Sequence, residues 1–264
     1  MPATRELKRR VLDMTAHFEG GWEAVAGNFD GQVLSYGPLQ WNLGTGTLQP
    51  MLKRVPRDVL AEHLGTAFVK ALYDGNIVDF VKREVLDERG EVKPEWRGNL
   101  VKLARTDAMR NAFVWGAAGY YRRGEMLCRA LGFKTERGYA LCFDTAVQNG
   151  APRRDHIRAY RQRMREDAPE WWNLAVFAQV VADSASPRWR QDVLNRKLTV
   201  ARGRGMVHGR YYDLERDFGI SYHRPWDIDP FPCGIHRVFL DGVELQVERM
   251  SKVGSKLYIR TKEG

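Results

Sequence analysis

The apolar positions fall first into a helical period. Leu7, Val11, Met14 and Phe18 share one face of a segment running from about Thr4 to Phe18, and Gly20-Gly21 stops it. Beyond Pro56, the stripe Val59, His63, Ala67, Lys70 with Leu60, Leu64, Ala71 and Leu72 beside it predicts another helix. Helical segments follow over Thr106 to Leu131, with a break near Gly116 or Gly124, and over Thr135 to Gln148. The second carries Tyr139, Cys142, Phe143, Ala146 and Val147 on its apolar face. Three more come after it, and past the loop from Arg202 to Gly205, Val207, Tyr211, Leu214 and Phe218 resume helical spacing.

The period changes to two near each end. Asn28 to Gly37 reads as a short irregular hairpin turning at Asp30-Gly31. From Ile235 the run IHRVFLDGVELQV alternates around Asp241-Gly242, and Lys256 to Thr261 supplies a third strand. The proline-rich stretch 223–232 marks a boundary. The expected fold class is therefore mainly α (α+β), with residues 1–222 as one domain and 223–264 as a connection and β appendage.

Composition narrows the function classes. The 264 residues carry a formal net charge of +9, which points to an anionic partner. The densest basic run, 153–165, reads as the solvated face of a helix. The polar N-terminus offers no secretory signal, and 171–182 is too short to span a bilayer, so synthesis in the cytoplasm and no membrane insertion are expected. Cys128, Cys142 and Cys233 read as free thiols of a reducing compartment. Cys233 and His236 lack a second ligand pair, and Gly44-Thr-Gly46 lacks the lysine of a phosphate loop, so neither metal nor cofactor is expected.

The chemistry concentrates between residues 18 and 42. Glu19 falls at the carboxyl end of the first helix, where the helix dipole and the apolar neighbours Phe18 and Trp22 should push its pKa upward. Asp30, in an open glycine-rich turn with free N–H groups, should stay ionised, and Ser35 follows five positions later. Two carboxyls held at different pKa values are what glycosidic cleavage requires: an acid for the leaving oxygen and a carboxylate to activate water or stabilise developing charge.

This arrangement, with DGQVLSYG at residues 30–37, resembles the lysozyme superfamily, in particular the phage-type lysozymes and the chitosanase-like branch. The segment 35–52 is similar to lysozyme-like domains of bacterial type VI secretion effectors and phage lysins, and FDTAVQNG at 143–150 to a helix lining their cleft. The resemblance implies a two-lobed fold, with a hairpin lobe at about 19–47 and a helical lobe at about 56–222. It implies Glu19 as general acid, Asp30 as base and Ser35 as the residue that places water. Tyr36, Gln40, Trp41, Asn42, Asp144 and Gln148 become candidate substrate-binding residues. Trp171 and Trp172 are expected to be buried instead.

Within that resemblance the basic charge favours peptidoglycan over polycationic chitosan, hence a muramidase, with chitosanase and lytic transglycosylase as alternatives. The implied partners are glycan strands, with an immunity protein and secretion machinery if the chain is an effector. The site of action would be the periplasm or cell wall. A monomer that does not engage nucleic acid is expected. A non-catalytic binder of nucleic acid or anionic glycan is the competing reading of another class.

Overall fold

The computed structural model describes residues 3–150 and 154–227, together with the backbone of strands 236–240, 243–253 and 256–261. The first helix, α1 (Arg5–Phe18), starts where Thr4 caps it by accepting the Leu7 N–H at 3.1 Å, and buries Leu7, Val11, Met14 and Phe18. A three-stranded antiparallel meander follows, β1 (Val25–Ala26), β2 (Ser35–Tyr36) and β3 (Trp41–Asn42), with β2 in the centre. Ser35 pairs with Ala26 and Asn42, and Tyr36 with Val25 and Trp41.

The helices α2 (Gln49–Leu52), α3 (Arg57–Asp74), α4 (Ile77–Phe80, continuing into a wider π turn), α5 (Pro94–Arg105) and α6 (Asp107–Gly116) come next. Of these, α5 packs on β1, and α6 sends Phe113 between the hairpin rings. The long segment predicted from Thr106 breaks at Ala117, giving α6 and then α7 (Ala118–Leu131).

The second group of helices surrounds α8 (Glu136–Gln148), which is buried on nearly every side: α1, α7, α10 (Glu170–Asp183) and α11 (Arg190–Arg202) all pack on it. Thr135 caps it through the Gly138 N–H. The basic helix α9 (Arg154–Arg163) buries only Tyr160, so its arginines form a solvated face as expected.

The helical reading of 207–213 is corrected. Residues there form a hairpin, β4 (Arg204–Val207) and β5 (Arg210–Asp213), and helix resumes only in α12 (Leu214–Phe218). The cause is the two-residue turn His208-Gly209, where both residues adopt positive φ (48° and 78°), as the tightest hairpin turns require. The apparent helical spacing was coincidental with strand positions.

The chain is still part of the helical body at Trp226, which is buried, stacks on Tyr139 at 5.3 Å and donates its indole N–H to the Phe133 carbonyl. The last three strands, β6 (His236–Leu240), β7 (Val243–Val253) and β8 (Lys256–Thr261), form an antiparallel sheet in that order. The Asp241-Gly242 turn and Cys233 lie outside the described residues. Cys128 and Cys142 are buried free thiols. Among the described residues no helix is long and apolar enough to cross a membrane.

Candidate functional site

Glu19 ends α1: its own N–H reaches back to the Thr15 and Ala16 carbonyls, and Gly20 and Gly21, at φ of 104° and 101°, turn the chain toward the hairpin. Both dihedrals are in the region that glycine adopts without steric cost. The Glu19 side chain is 31% exposed. Its partner is a cation and not the apolar wall the sequence implied. Arg196 Nη1 donates to Glu19 Oε1 at 2.6 Å.

That guanidinium is itself only 1% exposed. It lies over the Phe18 ring, and its other nitrogens grip Asp144, Nη2 to Oδ1 at 2.7 Å and Nε to Oδ2 at 3.1 Å. Lys197 Nζ donates to Asp144 Oδ2 at 2.5 Å and to the Asp144 carbonyl at 3.1 Å, and the Thr15 hydroxyl donates to Oδ1 at 3.1 Å. Three helices thus converge: α1 with Thr15 and Glu19 at its end, α8 with Asp144, α11 with Arg196 and Lys197.

Two cations and two anions balance in this cluster, which is how ionised groups tolerate burial. Burial alone would raise the Asp144 pKa, but the charges and hydrogen bonds of Arg196 and Lys197 hold its carboxyl well below the usual carboxylate range. Burial would lower Arg196, and Asp144 and Glu19 more than reverse it. Burial brings the Lys197 ammonium down to about 8 against the pull of Asp144, with Arg196 pushing the same way as burial.

Asp144 was expected on a cleft-facing surface with Gln148. This is corrected: Asp144 is fully buried and saturated with donors, so it cannot contact a substrate. Gln148, one turn later, is half-buried, its Oε1 has no hydrogen-bond partner among the described residues, and it lines a cavity of about 490 Å³ with Asn149, Ser186, Trp189 and Asp192.

Asp30 sits exposed at the turn between β1 and β2. Its Oδ1 accepts the Gln32 N–H at 3.1 Å, which fixes the side chain and leaves the second oxygen open. Ser35 is buried in β2, and its hydroxyl makes no hydrogen bond among the described residues. Beside Asp30, Phe29 is 78% exposed, an aromatic surface that the hydrophobic pattern did not single out.

Tyr36 and Trp41 are not sugar platforms. Tyr36 is buried, with its hydroxyl donating to the Leu100 carbonyl at 2.6 Å, and burial pushes its phenol well above 10. Trp41 is buried against Phe113, ring planes 8° apart at 5.4 Å. Both rings belong to the core because the central position of β2 and the arrival of α6 cover them. Gln40 and Asn42 serve the turns: Gln40 Nε2 donates to the Gly37 carbonyl, and Asn42 Oδ1 accepts from the Thr45 N–H and hydroxyl. The tandem tryptophans reverse the expectation too. Trp171 and Trp172 are exposed on the first turn of α10, whose buried face begins at Asn173.

Glu23, the nearest other acid, is held by Arg105 Nε and Nη2 at 2.6 and 2.9 Å, and that hydrogen bonding lowers its pKa.

No family model and no curated protein matches this sequence. The fold does have solved neighbours. A mutant chitosanase from Bacillus subtilis MY002 complexed with 6 GlcN superposes with a TM-score of 0.50 at 18% identity, over 80% of this chain and 97% of that one. The native chitosanase of the same organism gives 0.49 at 19% identity, again over 80% and 97%. The chain therefore has a mostly helical α+β fold like that of the superposed chitosanase. At this identity the likeness concerns the fold alone.

Proposed function

We propose that the protein is a glycoside hydrolase acting on an amino-sugar polymer, with Glu19 as general acid, Asp30 as general base and Ser35 placing the attacking water. The observation that carries this reading is the clamp on Glu19. A frayed carboxylate at a helix end needs no support, yet this one is paired to a buried arginine whose remaining donors are fixed on Asp144. Burying such ions costs about several kcal/mol each before pairing. What the arrangement supplies is one orientation for the carboxyl of Glu19.

In the reaction Glu19 hands its proton to the glycosidic oxygen as the bond to the anomeric carbon breaks. Asp30 takes a proton from a water whose oxygen bonds to that carbon. The open oxygen of Asp30 is free for this, and the unengaged Ser35 hydroxyl is suited to hold the water. Phe29, exposed next to Asp30, offers a ring face for a sugar.

Peptidoglycan is the favoured polymer, cut between N-acetylmuramic acid and N-acetylglucosamine. A chain at +9 is drawn to an anionic wall and repelled from chitosan. Chitosan is the second reading, because the superposed neighbour was complexed with 6 GlcN.

The test is digestion of purified peptidoglycan and of chitosan by wild type and Glu19→Gln, with soluble products weighed by mass spectrometry. Hydrated reducing-end muropeptides from wild type alone are expected, with Glu19→Gln slower by about 10²–10⁴-fold or more. Anhydro products would make the enzyme a lytic transglycosylase, and glucosamine oligomers from chitosan alone would make it a chitosanase. Near-wild-type hydrolysis by Glu19→Gln would overturn the assignment.

A further inference from the structure

Two adjoining cavities, of about 520 Å³ and 380 Å³, lie along the outer face of α1, and Arg9, Trp22 and Arg110 wall both. Each has the volume of a small-ligand pocket. Arg9, Asp13 and His17 follow at four-residue spacing on α1, on the side away from the buried Val11, Thr15 and Phe18. Arg110 comes from the first turn of α6. One end of the groove is walled by Gly20 and Gly21, while Glu19, Asp30 and Arg196 line neither cavity.

The acids of this groove are already engaged. Asp13 accepts the Trp22 indole N–H at 2.5 Å and lies 3.5 Å from His17, and Glu23 is held by Arg105. Glu6 lies 3.7 Å from Arg10, which also binds Glu136, and Asp107 sits at the N-terminus of α6, where the helix dipole offsets its charge. Three arginines of the groove, Arg5, Arg9 and Arg110, make no side-chain hydrogen bond or ion pair among the described residues, although the charge of Arg110 is felt by Glu23. Arg9 is exposed and makes no hydrogen bond or ion pair among the described residues. Arg110 is half-buried, and its Nε is buried with no acceptor among the described residues.

A buried donor without an acceptor is a cost that an incoming anion removes. Guanidinium groups bind carboxylate and phosphate in the same forked geometry. Trp22, fixed by its bond to Asp13, adds a flat apolar surface common to both cavities. Two cavities in series suit an extended chain better than a single ion.

We infer that Arg9 and Arg110, grouped around Trp22, form an accessory groove that binds the carboxylate or phosphate groups of an anionic wall polymer, apart from the Glu19 site. The choice of polymer rests on the hydrolase reading above; the anion chemistry does not.

The test uses the full chain carrying Glu19→Gln, so that the polymer survives. Co-sedimentation with peptidoglycan stripped of teichoic acid reads the carboxylate source, and titration with polyglycerol phosphate reads the phosphate source. Adding Arg9→Gln and Arg110→Gln should weaken binding to at least one of them tenfold or more, and parent binding should fall with added salt. Arg9→Gln alone, at an exposed position where substitution leaves the fold intact, should give part of that loss. With Glu19 restored, the double variant should keep wild-type kcat on short soluble fragments.

Unchanged polymer binding by the double variant overturns the groove, as does parent binding tighter to a single-stranded RNA than to both wall polymers. A wild type that hydrolyses nothing, yet loses polymer binding on removal of the two arginines, refutes the hydrolase reading and leaves the groove standing. Hydrolysis with binding indifferent to Arg9 and Arg110 does the reverse.

Discussion

Arg196 holds Glu19 with one nitrogen, at 2.6 Å, and Asp144 with the other two. One planar guanidinium therefore transmits the position of a buried aspartate on α8 to a half-exposed glutamate at the end of α1. On the proposed function, Arg196 is a positioning residue. Lysine keeps the charge but lacks the fork. Arg196→Lys should fold and lose roughly 10²-fold in kcat, of the order ascribed to a misplaced reacting group, with KM little changed and the pH–rate profile displaced. Arg196→Met leaves buried Asp144 short of donors and should cost about 3–5 kcal/mol of stability. Hydrolysis assays and denaturant melts separate the two effects.

Acid sensitivity follows from two buried carboxylates. Asp144 titrates well below its ordinary range. Glu136 is raised by burial but lowered further by hydrogen bonds from Arg10, Arg224 and the Ser221 N–H. A carboxyl with a depressed folded pKa contributes stability above its unfolded pKa and loses it as pH falls through the folded one. Stability should therefore be level between about pH 5 and pH 7, below the range where Lys197 titrates, and drop steadily below about pH 4, near the ordinary carboxylate values. Melting temperature against pH measures this, and Glu136→Gln should flatten the slope while lowering the plateau.

The hairpin rings should report on stability and not on substrate. A Cβ at Gly37 would lie 2.4 Å from the Phe113 ring, at a φ of 81°. Gly37→Ala should cost about 1–3 kcal/mol through overpacking. Trp41→Ala, which empties the stack on Phe113, should cost about 3–5 kcal/mol. In both, KM measured on the remaining folded protein should match wild type; a large rise in KM with unchanged stability would return Trp41 to the substrate.

Phe29→Ala should behave in the opposite way. The side chain is 78% exposed, so stability should move by less than about 0.5 kcal/mol. If a sugar stacks on it, KM should rise by roughly two- to tenfold, the equivalent of about 0.5–1.5 kcal/mol for an aromatic contact. Michaelis kinetics on a soluble glycan fragment decide it.

These expectations show which parts of the molecule are written locally in the chain. α1 and α8 could be read from their apolar faces, and the end of α1 from Gly20-Gly21, because all those signals act within a turn or two. So could the turn at Asp30-Gly31. Residues 207–213 were misread because two positive-φ residues, one of them His208, made a hairpin that a spacing of four and three positions also fits. The fates of Tyr36 and Trp41 depend on Phe113, which lies far along the chain and arrives only with α6. Arg196 and Lys197, two neighbouring cations within RQDVLNRKLTVAR, look like a solvated helix face until α1 and α8 close over them.

The bond from Arg196 to Glu19 also joins residues 177 positions apart. Every residue proposed to take part in the chemical step is present once the hairpin has been made, yet the group that orients Glu19 emerges only after most of the chain. During synthesis an N-terminal segment that already contains Glu19, Asp30 and Ser35 has no clamp, and the acid at the end of its first helix has no fixed direction. Closing so long a loop is slow relative to local helix formation. On the proposed role of Glu19, competence for the reaction would therefore be a late event in the life of the chain, and nascent or truncated forms without Arg196 would lack the oriented acid.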